Sequence, residues 1–293
     1  MSVYRSVVAG LGVVAVAAGT LLSGSGQAPA PAVTPQLPGA PMATSGTFVT
    51  PRLEGWYRNS DGTATILVGY FNRNQSELVD VSIGPNNKIE PGGPDQGQPT
   101  HFLTGRQWGI FSVTVPKDFG NKKLTWTLVS NGQPTAITLW TNPPYIVSPF
   151  VFAANGNTPP VVRFDEAGPE LKGPPRGIAK TYSAAVGAPL TLTVWATDKG
   201  PTIVPAAPAG APGRGPTASL VRMNWAMFRG PASPKFANAR PTVDATSGKA
   251  ETTVTFDKAG EYWLRAQFND PSGEGGGGDQ CCWSSALVKV AVK

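Results

Sequence analysis

From Phe48 to about Trp140, apolar and polar residues alternate in short runs separated by turn residues. Residues 53–58 (LEGWYR) lead into Asn59-Ser60-Asp61-Gly62, and residues 63–72 (TATILVGYFN) return. Asp-Gly between two such runs is a hairpin signal. Residues 78–83 and 107–115 keep the period of two, with Phe111, Val113 and Val115 in phase and Trp108 on the other face. Residues 124–129 and 136–140 flank Asn131-Gly132 as a further hairpin. Period-two patterning rich in Thr, Val, Ile and aromatics predicts half-buried antiparallel strands. Six of them over residues 48–141 predict a small β-sandwich.

The pattern resumes at residues 161–164, 190–196, 221–228, 250–256, 262–268 and 286–292, predicting a second β-sandwich over 159–293. Between the two, residues 142–158 begin NPPYIVSPF and read as a semi-rigid linker. Residues 199–218 are so rich in Pro, Gly and Ala that a mobile surface insertion is expected there. Composition agrees with many turns and little helix. Gly and Pro number 35 and 30 of 293 residues, roughly twice the usual share, and only 14% of residues are charged.

At the N-terminus, Arg5 precedes a Val/Ala/Gly/Leu run to Leu22 and a small-residue stretch to Ala30. That order is expected of a signal peptide over 1–30, followed by a Pro/Ala-rich linker over 31–47. The mature chain is expected to be exported, periplasmic or extracellular, without a transmembrane segment. Net charge is +6 without a Lys/Arg cluster, so no nucleic-acid partner is expected.

Three motifs in the second half carry a resemblance. Val186-Gly187-Ala188-Pro189-Leu190-Thr191-Leu192 looks like the entry to a second strand. Trp225 sits where a core Trp stands on strand C, and residues 256–265 (FDKAGEYWLR) look like the corner before the penultimate strand. Together they resemble bacterial immunoglobulin-like modules of the polycystic-kidney-disease-repeat and cadherin-like kind. The chain as a whole looks like exported bacterial proteins. The resemblance covers about 110 residues of the second half and implies that it is immunoglobulin-like; with the patterning of both halves, the chain is expected to be all-β, two tandem antiparallel β-sandwiches. The resemblance also implies a tyrosine corner at Tyr262. The inter-sheet Cys of antibody domains would fall near Leu264, so no such disulfide is implied. Modules of this kind serve adhesion, spacing or binding, and the fold implies no catalysis.

Candidate chemistry is sparse. Cys281-Cys282 is the sole cysteine pair, and in an oxidising compartment it is expected to pair. Adjacent α-carbons lie ~3.8 Å apart, closer than the ~4.4–6.8 Å of ordinary disulfides, so the ring would be strained. His101 is the single histidine and is expected to be a strand-edge or loop residue bonded to backbone. No metal site or cofactor is expected. The loop 84–100 (GPNNKIEPGGPDQGQPT) offers Asn86, Asn87, Glu90, Asp95 and Gln96 as polar ligand-binding candidates. Trp56 and Trp108, each beside polar or Gly residues, are the aromatic candidates for stacking on sugar rings.

These features predict a non-enzymatic binding or structural module whose ligand is a polysaccharide or another component of the cell envelope. A second reading is a protein-interaction subunit using exposed strand edges against a cell-surface protein. A third is a hydrolase using Glu90 and Asp95 as its carboxylate pair.

Overall fold

Strand register accounts for the architecture. The computed structural model describes residues 42–147, 156–199, 221–270 and 282–293. The expected signal peptide, most of the linker before residue 48, residues 148–155 and all but Lys199 of the insertion at 199–218 lie outside the described residues. Residues 40–293 form one compact unit.

The first half holds β1 (Val49–Arg58), β2 (Ala64–Asn72), β3 (Val79–Asp80), β4 (Asn87–Glu90), β5 (His101–Phe102), β6 (Gly105–Val115), β7 (Leu124–Ser130) and β8 (Gln133–Leu139). They make sheets β1-β2-β6 and β4-β7-β8, with β3-β5 as a short ribbon. The two main sheets enclose a core containing Ile66, Val68, Ile89, Phe111, Trp126 and Leu128. Trp126 meets Phe111 edge-on at 5.1 Å, and its indole N–H donates to Asn87 Oδ1 at 3.0 Å. A buried Trp needs such a partner for its one donor. The β7–β8 turn is Asn131-Gly132, with φ of 47° and 73°, as the Asn-Gly signal predicts.

The second half holds β9 (Val161–Arg163), β10 (Ile178–Ala184), β11 (Leu190–Thr197), β12 (Arg222–Arg229), β13 (Lys235–Phe236), β14 (Lys249–Thr255), β15 (Gly260–Asn269) and β16 (Trp283–Val292). Sheet β10-β16-β15-β12 faces sheet β13-β14-β11-β9. All pairings are antiparallel except β10 with β16, which run parallel. Trp225 is buried on β12, and Tyr262 Oη donates to Lys258 O at 2.8 Å, closing the tyrosine corner. This strand order, the core Trp and the corner are those of an immunoglobulin-like sandwich. Leu192 on β11 and Leu264 on β15 fill the core in place of an inter-sheet disulfide.

Two segments differ from the sequence reading. Residues 43–47, expected as linker, pack against the 72–77 turn: Thr47 N–H and Oγ1 both contact Asn74 Oδ1, at 2.8 and 2.7 Å. Within 142–147, Ile146 bridges to Trp56 and Val147 N–H donates to Trp56 O at 2.9 Å, so this stretch runs along β1.

Candidate functional site at the seam between the sandwiches

Strand β2 is buried along almost its whole length. Ile66, Val68 and Tyr70 face the first core, while Leu67 packs with Tyr57 and Trp283. Sheet β1-β2-β6 is therefore covered on one side by its own partner sheet and on the other by the second sandwich. The outward residues of the second sandwich supply that cover. On β15, Tyr262, Leu264 and Ala266 point into their own core, whereas Trp263 joins Phe228, Ile178 and Leu287 in the first core cluster. Trp263 and Phe228 stack at 6.3 Å with an interplanar angle of 11°.

Two contacts fix the seam. Trp283, 1% exposed, lies against Gly109, where an added β-carbon would stand 2.5 Å from the indole. Gly109 has φ of +48°, a conformation that favours glycine. The other contact is a clasp. Arg229 Nη2 and Nη1 donate to the two carboxylate oxygens of Asp95, at 2.7 and 2.9 Å, and Nε donates to Gln98 O at 2.8 Å. The guanidinium lies 4.3 Å from the Trp263 ring centroid. Bonding to Arg229, opposed by partial burial, holds the Asp95 carboxyl below its ordinary range. A planar, bidentate pair with one partner nearly desolvated is a strong form of ion pair.

The loop 84–100 is thus a brace. Asn87, a ligand-binding candidate in a loop that the sequence also allows to be a connection only, is fully buried. It donates Nδ2–H to Val81 O at 3.0 Å and Pro99 O at 2.8 Å. Gln96 Nε2 donates to Ile89 O at 3.2 Å and Pro91 O at 3.1 Å, and Gln98 Nε2 to Pro94 O at 2.6 Å. Glu90 is exposed and pairs with Lys88 at 2.8 Å, so Glu90 and Asp95 each meet a different cation. Asn86 is exposed and lines a groove of about 610 Å³ along residues 77–86 and 129–131.

The aromatic candidates sit elsewhere. Trp56, a stacking candidate set against core packing as the default for these aromatics, is packed in the core: it is only 4% exposed, and its indole N–H donates to Asn142 O at 2.6 Å. The cause is the run at 142–147 that packs along β1. Trp108 is half-buried, with the Arg106 guanidinium 3.9 Å from its ring centroid. Arg106 also holds Glu54, whose carboxyl is raised above its ordinary range because burial outweighs the arginine's pull. His101 is buried, and its Nδ1 meets Asp80 Oδ1 at 2.7 Å. Its partner is a cross-strand carboxylate rather than the expected backbone, because β3 and β5 set the two residues opposite each other. Cys281 lies outside the described residues; Cys282 is buried immediately before Trp283.

Arg229, Arg265 and Gln107 are seam residues that sequence reasoning missed, as it missed Asp80, the cross-strand partner of His101. One signal was available. Trp263 and Arg265 occupy the nominal solvent face of β15, and a large aromatic there marks a second burial face.

No family model and no curated protein matches the chain. Solved structures that it resembles include titin immunoglobulin tandem domains A164-A165, at 11% identity and TM-score 0.22, covering 84% of this chain and 99% of that one. The D0-D1 domain of intimin matches at 12% identity and TM-score 0.24, covering 84% and 98%. The Yersinia pseudotuberculosis adhesin InvE matches at 12% and 0.23, covering 85% of this chain and 59% of that one. At such overlap the immunoglobulin-like assignment rests on the strand order and corner described above. Among the described residues, no helix is long and apolar enough to cross a membrane.

Proposed function

We propose that this chain is an exported, non-enzymatic binding or structural module, made of sandwiches 48–141 and 159–293 acting as one rigid body. The observation that carries this reading is the Arg229–Asp95 clasp, which commits the longest loop of the first sandwich to holding the second. A loop braced in this way serves orientation better than a moving reaction site. Export is supported by the charged, apolar, small-residue order of residues 1–30. The partner favoured is a polysaccharide of the cell envelope. An open, amide-lined cleft at one end of the seam supports that choice.

The vicinal disulfide belongs to the same reading. Cys281 and Cys282 are the chain's two cysteines, and an exported chain meets an oxidising compartment in which lone thiols pair. A Cys281–Cys282 ring would stiffen the turn that delivers Trp283 to the seam. Intact mass with and without reduction tests it: a gain of two hydrogens on reduction supports the ring, and no change contradicts it.

Function is tested by retention of the chain, from residue 31 onward, on insoluble polysaccharides and purified cell envelope, with soluble products assayed in the same tubes. Retention without product is expected. Release of soluble sugar would overturn the non-enzymatic reading. Absence of retention on every polysaccharide, with capture by an envelope protein, would replace the sugar by a protein partner.

A further inference from the structure

The seam is closed by apolar contacts at the Phe228–Trp263 end and opens into a cleft of about 450 Å³ at the other. Both sandwiches line it. On β12 and β15, Asn224 stands directly opposite Gln267. Their strand neighbours Trp225, Ala266 and Phe268 turn into the core of the second sandwich. Strand alternation therefore presents the two carboxamides side by side to the cleft.

Part of the lining is engaged in building the walls. Arg265 is 3% exposed, and its Nη2 donates to Gln107 Oε1 at 3.3 Å. Gln107 Nε2 donates in turn to Thr104 O at 3.1 Å. The carboxamides of the facing pair stand differently. Gln267 Nε2 donates to Asn269 Oδ1 at 3.3 Å, which orients the group and leaves Oε1 open as an acceptor. The Asn224 carboxamide is half-buried and meets no hydrogen-bonding partner among the described residues. Half-buried Leu103 and Phe236 add apolar flanks to the same cleft.

We propose that this cleft binds the acetamido group of an N-acetylated hexosamine within a polysaccharide. A secondary amide is planar and trans, so its N–H and C=O point in opposite directions. It can therefore bridge an acceptor and a donor on neighbouring strands, giving its N–H to Gln267 Oε1 and taking Asn224 Nδ2–H on its C=O. The acetyl methyl then meets Leu103 and Phe236, and the ring hydroxyls meet the exposed Ser233 hydroxyl at the rim. The volume lies within the ~300–1,000 Å³ range of ligand pockets, where apolar lining and a few convergent polar groups combine. A carboxamide already ordered before binding loses little entropy on binding. The lining discriminates against a plain hydroxyl in place of the acetamido group, which forfeits the methyl contact and leaves one carboxamide unmatched. This inference rests on the binding-module reading and names its ligand.

The test is titration calorimetry of the chain from residue 31 onward with a trimer of β-linked N-acetylglucosamine and with the matching glucose trimer. The acetylated trimer is expected to bind, with an affinity that salt leaves nearly unchanged. The glucose trimer is expected to bind about tenfold more weakly or not at all. Asn224→Asp keeps the shape of the side chain and loses its donor, and is expected to weaken the acetylated trimer about tenfold. Asn224→Ala is expected to do the same, with the thermal midpoint checking that each variant is folded. Equal binding of the two trimers, or an unchanged affinity in either folded variant, would overturn the proposal. Binding of an acetylated, amidated alanine dipeptide in place of the trimer would also overturn it and assign the cleft to a peptide. Retention on cell envelope with no binding of the acetylated trimer would overturn this ligand and leave the binding module standing. No retention and no binding would remove both.

Discussion

Gly109 and Trp283 show how one residue pair can decide the seam. A methyl group at residue 109 would enter the indole and would also be held at a φ of +48°. Gly109→Ala is therefore expected to destabilise the chain by about 2–4 kcal/mol, combining overpacking with left-handed strain. Urea denaturation checks this; a change below about 0.5 kcal/mol would mean that Trp283 does not lie there. Asp95 makes a second, pH-dependent prediction. Its carboxyl is lowered chiefly by its bonds to Arg229, so its contribution is present above the unfolded value of about 3.9 and is lost as pH falls through the lower folded value. Asp95→Asn is expected to be less stable than the parent at neutral pH, and the difference to vanish in the acid limb below the ordinary Asp range. A difference that persists unchanged to the lowest pH would contradict the ion pair. Neither role is readable from the sequence. Asp95 sits among Pro and Gly and resembles a loop ligand there, because its partner Arg229 lies in the other sandwich.

At the scale of elements, period-two runs made most strands legible, and the Asp61-Gly62 and Asn131-Gly132 turns were legible too. Three motifs were enough to indicate the immunoglobulin-like half, since Trp225 and Tyr262 act locally within that fold. Strand β10 was missed because its residues, IAKTYSA, are only half-buried on an edge and pair in parallel with the distant β16. Strand β4 was missed because its four residues lie inside a Pro/Gly-rich stretch, and what stabilises it is pairing with β7 and the buried Asn87. Asn87→Ala removes the partner of two carbonyls and of the Trp126 indole, all at buried positions. A loss of roughly 3 kcal/mol is expected, read by chemical denaturation, with faster amide exchange across residues 84–100. Unchanged exchange in that loop would mean that it is braced by something else.

At the scale of the whole molecule, the sequence suggests tandem sandwiches joined by a linker. The fold adds a broad seam that turns outward faces into buried ones. The clue was present in β2. ILVGYF is a continuous apolar run, which signals burial on both faces, whereas a sandwich with one wet face needs only alternation. Trp263 on β15 carries the same message. The ligand-binding candidates read from the first sandwich alone could not include the cleft, because its walls come from strands more than a hundred residues apart in sequence.

The central claim is that the two sandwiches behave as one body. Differential scanning calorimetry of the chain from residue 31 onward tests it most directly. One cooperative transition is expected, with calorimetric and van't Hoff enthalpies equal, and Arg229→Ala is expected to lower its midpoint or split it. Two separate transitions in the parent chain, with Arg229→Ala shifting neither, would contradict the account.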